Sequence, residues 1–207
     1  KSTLKVNKDF YVGYSPERIN VGDPQNTLTT IPKIVSATNK YSLKIIVKLY
    51  SSILKSKVHA VSSIKVAEAA KIVENVQRDV NIAFVNELAM MFKFFEIDIN
   101  EVLNAASTKW NFLNFRPGLV GGHCIGVDPY YLAHKSIALG YKPEILLSAR
   151  KINEEVPFFI LKELFKKLSL HKIEISKANV LFLGATFKEN ISDIRNSKAL
   201  ELATEIN

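Results

Sequence analysis

The sequence predicts an α/β protein with a helical centre. Three observations carry this. From Lys33 to Arg116 there is neither Gly nor Pro, and so long a gap in the strongest structure breakers predicts long helices. The residues before it carry short β-type runs bounded by turn residues. Near the other end, Val180–Leu183 is an apolar β run meeting Gly184 in a tight turn, the way a nucleotide-binding βαβ unit begins.

The elements follow in order. DFYVGYSPERINVGDP reads as a short strand running into a turn-rich loop, and KIVSA (33–37) as a second strand. NKYSLKIIVKLYSSILK (39–55) is an amphipathic helix and VHAVSS (58–63) a third strand. This opening is α/β in texture but short of a full domain. Ser62 or Ser63 can cap the next element, which runs from about Ser63 to Ile97. It is apolar on most faces, at Val66, Ala70, Val73, Val80, Ala83, Phe84, Leu88 and Met91, and such a helix is buried in a core or between subunits. DINEVLNAAS (98–107) is the helix after it, with an Asp or Asn cap. Asp128 followed by Pro129 reads as an N-cap with the preferred N1 proline, and Gly140 as the C-cap of that helix. PEILLSARKINEEVPFFILKELFKKLSL gives one or two helices, with Pro157 a start or a kink. The domain boundaries expected are 1–62, 63–172 and 173–207.

The chain has 207 residues, a net charge of +8 and one cysteine. No apolar run approaches the ~20 residues of a membrane span, and no nucleic-acid-type block of charge occurs. Neither membrane nor nucleic acid is therefore expected as a partner. A lone cysteine forms no internal disulfide and suits a reducing, cytoplasmic location. The start lacks an apolar signal region and an initiator Met, so the sequence reads as part of something longer.

Four of the eight glycines fall between Gly118 and Gly126, and Cys124 lies among them. Glycines let backbone approach a ligand, and the helix expected at Pro129 turns its positive end toward a thiolate. A core cysteine needs no such glycines, so a nucleophile is favoured over a structural thiol. Asp128, four residues on, can hold a catalytic water or simply cap its helix, and the cap is preferred. Lys71 and Asn75 share one face of the long helix, with Glu68, Asp79 and Asn86 near it. These polar groups either satisfy one another between helices or, at Lys71 and Asn75, face a developing oxyanion. Glu17 alone is an ordinary loop carboxylate. His123 beside Cys124 makes neither a protease pair nor, with His59, His134 and His171 standing apart, a metal site, so no metal is expected.

Four blocks, FYVGYSPERINVGD, SIKVAEAAKIVENVQRDVNIAFVNELA, KWNFLNFRPGLVGGHCIGVDPYYLAHKS and LGATFKENISDIRNSK, resemble the UDP-sugar 6-dehydrogenase family. The nearest branch is the bacterial UDP-N-acetylhexosamine 6-dehydrogenases of capsule and O-antigen pathways. The resemblance implies the C-terminal part of a Rossmann-like NAD domain, a central helical dimerisation domain and the start of a Rossmann-like UDP domain. It implies two NAD⁺-linked oxidations of a sugar C6 hydroxyl to the acid, through a thiohemiacetal and a thioester on Cys124. Lys71 and Asn75 would stabilise the oxygen charge, Asp128 would sit near that lysine and the hydrolytic water, and Glu17 would serve thioester hydrolysis. Arg18, Phe112, Gly118, Gly121, Gly122, Lys188 and Arg195 would contact substrate, with Lys188 and Arg195 also near the cofactor or the dimer interface. Glucose-type members carry a second Glu where this chain has Val21, and Ser where it has His123, so the N-acetylhexosamine branch is expected; UDP-glucose and UDP-N-acetylmannosamine oxidation and a non-catalytic dimerisation module are the alternatives. No Gly-x-Gly-x-x-Gly fingerprint occurs, so the sequence as it stands should be inactive alone.

Overall fold

The computed structural model describes residues 3–20 and 22–206. Val21, one of the positions separating the two branches, lies outside the described residues. The chain forms two compact units, Lys1–Glu74 and Asn75–Asn207.

In the first unit a three-stranded sheet has the order β1 (Gly13–Tyr14), β2 (Lys33–Ala37), β3 (Val58–Ala60). β2 is central: antiparallel to β1, with Gly13 opposite Ala37, and parallel to β3, with Ile34 opposite His59. A parallel pair needs a crossover, and α1 (Lys40–Ile53) supplies it. Asn39 starts α1 by accepting the Ser42 N–H at 2.9 Å. Val35 and Ser36 are wholly buried. Lys33, also buried, reaches Glu17 with its ammonium at 3.0 Å. A buried charge of this kind needs such a partner.

The long helix forms as α2 (Ile64–Phe94), with Ser63 Oγ accepting the Val66 N–H at its start. Its burial pattern departs from a helix covered on all sides. Val66, Val73, Phe84 and Met91 are exposed, and their spacing of seven and eleven residues places them along one stripe. Asn75, Asp79 and Asn86 lie on the opposite face, and Asp79 and Asn86 are almost completely buried. The apolar stripe thus faces out and the polar stripe in.

In the second unit α3 (Ile99–Ala106) begins at Asp98, whose carboxylate accepts the Asn100 N–H at 2.8 Å. α4 (Asp128–Ala138) ends with Gly140 at a φ of 90°, where the Gly140 and Tyr141 N–H groups take the Ile137 and Ser136 carbonyls. α5 (Glu144–Leu170) is one helix that carries Pro157 inside it, rather than two helices divided there. The run Val180–Leu183 forms no strand. A strand exists by hydrogen bonding to a neighbour, and among the described residues the paired strands all lie in the first unit; Leu181 and Leu183 are left more than four-fifths exposed. α6 (Lys198–Ile206) packs against α5.

Candidate active site

The glycine-rich segment 118–127 is irregular, made of extended backbone and turns. It is fastened at its entry, its middle and its exit, all within the second unit.

At the entry, Asn86 of α2 binds both peptide groups of Gly118: its Nδ2 donates to the Gly118 carbonyl at 3.0 Å and its Oδ1 accepts the Gly118 N–H at 2.8 Å. In the middle, the Gly122 N–H donates to the Asn196 carbonyl at 3.2 Å. Two of the expected glycines, Gly121 and Gly122, are packed closely against the chain itself. A Cβ at Gly121 would stand 2.4 Å from the Asn196 carbonyl oxygen, and one at Gly122, whose φ is 85°, would stand 2.7 Å from the Phe187 ring. His123 is drawn into the same contact: its Nε2 lies 2.8 Å from Asp193 Oδ2, and its ring meets Phe187 edge-on at 5.8 Å. Arg195, through Nε and NH2, holds that same Asp193 carboxylate. The hydrogen bonds from the Arg195 side chain, from the Arg195 backbone and from His123 hold Asp193 well below the ordinary carboxylate range. His123 and Asp193 are 70 residues apart, so no local pattern could have announced that pair.

At the exit, the Cys124 carbonyl accepts the N–H groups of Val127 (3.1 Å) and Asp128 (2.8 Å). This turns the chain into α4 and leaves the Cys124 side chain exposed, a free thiol shortly before a helix N-terminus. The N-cap expected at Asp128 is corrected. Val127 holds that place with no side-chain cap bond, and Asp128 is the first helical residue. Its carboxylate is instead the acceptor for Asn75 Nδ2 at 2.6 Å. That donor comes from another helix. Asn75 and Asp128, singled out for different reasons in the sequence, are thereby in contact.

Beneath this segment lies a charged network that the sequence showed only as a polar stripe. Arg150 NH1 donates to Asp79 Oδ1 at 2.6 Å, and Asn153 Nδ2 donates to the same oxygen at 2.8 Å. Asn153 Oδ1 accepts from Asn86 at 2.9 Å, so the stripe finds interhelical partners at Asn86 and at Asp79 Oδ1, while Asp79 Oδ2 and Arg150 Nε are buried without one among the described residues. Burial pushes the Asp79 carboxyl up, while Arg150 opposes that rise. Burial likewise weakens the Arg150 cation, but Asp79 beside it more than restores it, so the pair is read as ionic. Arg150 also bonds Glu154, which takes Lys198 of α6 on its other oxygen. Glu154, Lys198 and Glu201 line, with Tyr130 and the backbone of Gly121 and Gly122, a cavity of about 280 Å³.

The remaining candidates are placed as follows. In the first unit, Glu17 Oε1 accepts the N–H groups of Arg18 and Ile19 and Oε2 meets Lys33. Partial burial alone would raise its carboxyl; these bonds outweigh it and hold it below the ordinary value. Arg18 grips Glu74 through Nε (3.0 Å) and NH2 (2.6 Å), and its NH1 donates to the Pro32 carbonyl. Lys71 is half-buried on α2, one turn before Asn75. In the second unit, Phe112 is half-buried in the turn after α3, its N–H on the Lys109 carbonyl. Lys188 is half-buried, its carbonyl accepting from Thr186 Oγ1. Among the described residues no group of three or more His, Cys, Asp or Glu could hold a metal, and no helix is long and apolar enough to cross a membrane.

Residues 65–155 match the central domain of the UDP-glucose/GDP-mannose dehydrogenase family. The chain is 54% identical over 99% of its length to protein CapL of Staphylococcus aureus, covering 48% of that protein. It is 51% identical over 99% of its length to a UDP-N-acetyl-D-glucosamine 6-dehydrogenase of Salmonella typhi, again covering 48%. Among solved structures, a UDP-D-ManNAc dehydrogenase from Pyrococcus horikoshii superposes with a TM-score of 0.89 at 33% identity, over 98% of this chain and 48% of the other. The chain thus spans about half the length of the curated relatives it matches. With likeness of sequence along almost its whole length and of fold around the same helical centre, the chain is similar to members of the UDP-glucose/GDP-mannose dehydrogenase family, whose central domain its residues 65–155 match.

Proposed function

We propose that the protein carrying this chain oxidises the C6 hydroxyl of a UDP-N-acetylhexosamine to the carboxylate, for capsule or O-antigen synthesis. The observation that carries the reading is the exit of the glycine-rich segment. An exposed Cys124 stands at the start of α4, and the carboxylate of Asp128 is fixed there by Asn75 at 2.6 Å. The 51% identity to a UDP-N-acetyl-D-glucosamine 6-dehydrogenase favours that sugar over its epimers.

Two cationic residues, Lys188 and Arg195, lie on the segment packed against the Cys124 loop and fit a contact to the anionic diphosphate of NAD⁺. NAD⁺, when bound, supplies the acceptor for both hydrides. The glycine-rich cradle that holds a dinucleotide is not among these residues. The reading takes residues 1–62 and 173–207 as parts of two nucleotide-binding domains flanking the central one, 63–172.

In the proposed chemistry the Cys124 thiolate adds to the C6 aldehyde left by the first oxidation, giving a thiohemiacetal. Lys71 and Asn75 are assigned to the oxygen on which charge develops. An amide has two N–H donors, so the bond to Asp128 leaves one for this task. The second oxidation leaves a thioester on Cys124. Water then attacks its carbonyl with Asp128 and Glu17 in attendance, releasing the acid and the thiol. Arg18, Phe112, Gly118, Gly121 and Gly122 are assigned to substrate. The exposed stripe of Val66, Val73, Phe84 and Met91 is assigned to a homodimer.

The test is NADH production by the full-length protein across UDP-N-acetylglucosamine, UDP-N-acetylgalactosamine, UDP-N-acetylmannosamine and UDP-glucose. Two NADH per UDP-N-acetylglucosamine, with slower use of the others, is expected. No NADH from any of the four overturns the reading.

A further inference from the structure

Asn86 has no part in the chemistry just proposed, yet it is 2% exposed, with both donors of its amide and its carbonyl oxygen engaged. Nδ2 donates to the Gly118 carbonyl and to Asn153 Oδ1, and Oδ1 accepts the Gly118 N–H. The orientation is set from behind, because Asn153 spends its own Nδ2 on Asp79 Oδ1 at 2.8 Å and on the Asp79 carbonyl at 3.1 Å. Gly118 itself is exposed. Water could satisfy its peptide groups, so a buried amide taking both of them fixes a position rather than repairing a burial cost.

Helix geometry adds the second half. Asn75 and Asn86 are eleven residues apart on α2, close to three whole turns, so both point to one face about 16 Å apart along the axis. Asn75 holds Asp128, where the Cys124 loop ends, and Asn86 holds Gly118, where it begins. Between them the backbone has no regular secondary structure to fix it.

We propose that Asn86 is a positioning residue that sets the register of the Cys124 loop, with α2 acting as the ruler between the loop's two ends. The proposal rests on Cys124 being the nucleophile. Its consequence falls on the Cys124-dependent half of the reaction: the first oxidation, of the alcohol, needs no thiol.

Two variants of the full-length protein test it. Asn86→Asp places an acceptor against the Gly118 carbonyl and Asn153 Oδ1. Gly118→Pro removes the N–H that Asn86 accepts, with an added ring and a fixed φ, and leaves the side-chain network between α2 and α5 whole; Gly118→Ala, which keeps that N–H, controls for changes at the position itself and should keep the wild-type values. The first readout is alkylation of Cys124 by iodoacetamide, followed by mass spectrometry, with and without saturating UDP-N-acetylglucosamine and without NAD⁺. The second is the ratio of trapped aldehyde to acid with NAD⁺ present. Since displacements of about 1 Å can cost on the order of a hundredfold in rate, Asn86→Asp and Gly118→Pro should each lose most of the wild-type protection and release aldehyde at least about tenfold more often per acid formed. Either of these two that melts early but keeps wild-type protection and product ratio in its folded fraction overturns the proposal, as does either one indistinguishable from wild type. Cys124→Ser separates the two readings. If it turns over normally, the nucleophile itself is wrong. If it stalls while Asn86→Asp and Gly118→Pro keep the wild-type values, the positioning role alone falls.

Discussion

The carboxylate of Asp128 accepts a hydrogen bond from Asn75 at 2.6 Å, across a sequence separation of 53 residues. The bond joins the first turn of α4 to the face of α2 that carries the buried polar stripe. A carboxylate near a helix N-terminus is worth about 0.3–1 kcal/mol to the helix. If Asp128 does no more than this, Asp128→Asn should change melting slightly and leave turnover alone. If it serves thioester hydrolysis, stopped-flow absorbance should show a rapid burst of NADH followed by a steady rate at least about tenfold slower. Normal steady turnover by Asp128→Asn would remove it from the mechanism.

Lys71 distinguishes rate from stability. A cation placed in advance at a developing oxyanion is worth on the order of 3 kcal/mol, about a hundredfold in turnover, whereas a partly exposed paired lysine contributes under about 1 kcal/mol to stability. Lys71→Ala should lose at least tenfold in kcat with a nearly unchanged melting temperature. Early melting with normal turnover in the cold would make the residue structural.

Phe84 is 54% exposed in the middle of the outward stripe of α2. Apolar surface so placed is expected to be covered by a second copy. Light scattering of the full-length protein should give a dimer, and Phe84→Glu should shift it to monomer at micromolar concentration. A wild-type monomer, or a variant that stays dimeric, would count against this face.

Glu154 links α5 to α6 through Lys198. Partial burial would raise its carboxyl, but Lys198 and Arg150 outweigh that and hold it below the ordinary 4.5. Burial likewise works against the Lys198 cation, yet Glu154 and Glu201 hold it above the ordinary 10.5. For a depressed carboxyl the stabilisation is present above 4.5 and is lost as pH falls through the lower folded value. For a raised ammonium it is present below 10.5 and is lost as pH rises through the higher folded value. Glu154→Gln should therefore lower the melting temperature across the neutral range, with the gap to wild type closing in acid. A gap that stays constant down to pH 3 would show that the Glu154 charge contributes nothing to folding.

Local chemistry was legible from residues a few positions apart. Asn39 and Asp98 cap their helices as short polar side chains before apolar-periodic runs do, and Gly140 takes the positive φ that closes α4. The family resemblance, too, was legible, because GGHCIGVDPYY and its three companion blocks survive as strings. Pairings over long separations were not. Asp79 with Arg150, Asn86 with Gly118 and His123 with Asp193 join residues 71, 32 and 70 positions apart. The polar stripe announced a need for partners without saying which.

Asp128 and Val180–Leu183 show where the divide lies. By itself the sequence determined where the helices lie, the lone thiol in its glycine setting and the family resemblance, since each depends on backbone propensity or on residues adjacent in the chain. Only the tertiary structure decided that Asp128 accepts from Asn75, that Val180–Leu183 pairs with no strand among the described residues, and that α2 turns its apolar stripe outward. A carboxylate can take a donor from a helix far away in the chain, a strand exists only beside another, and a helix buries whichever face its neighbours can satisfy.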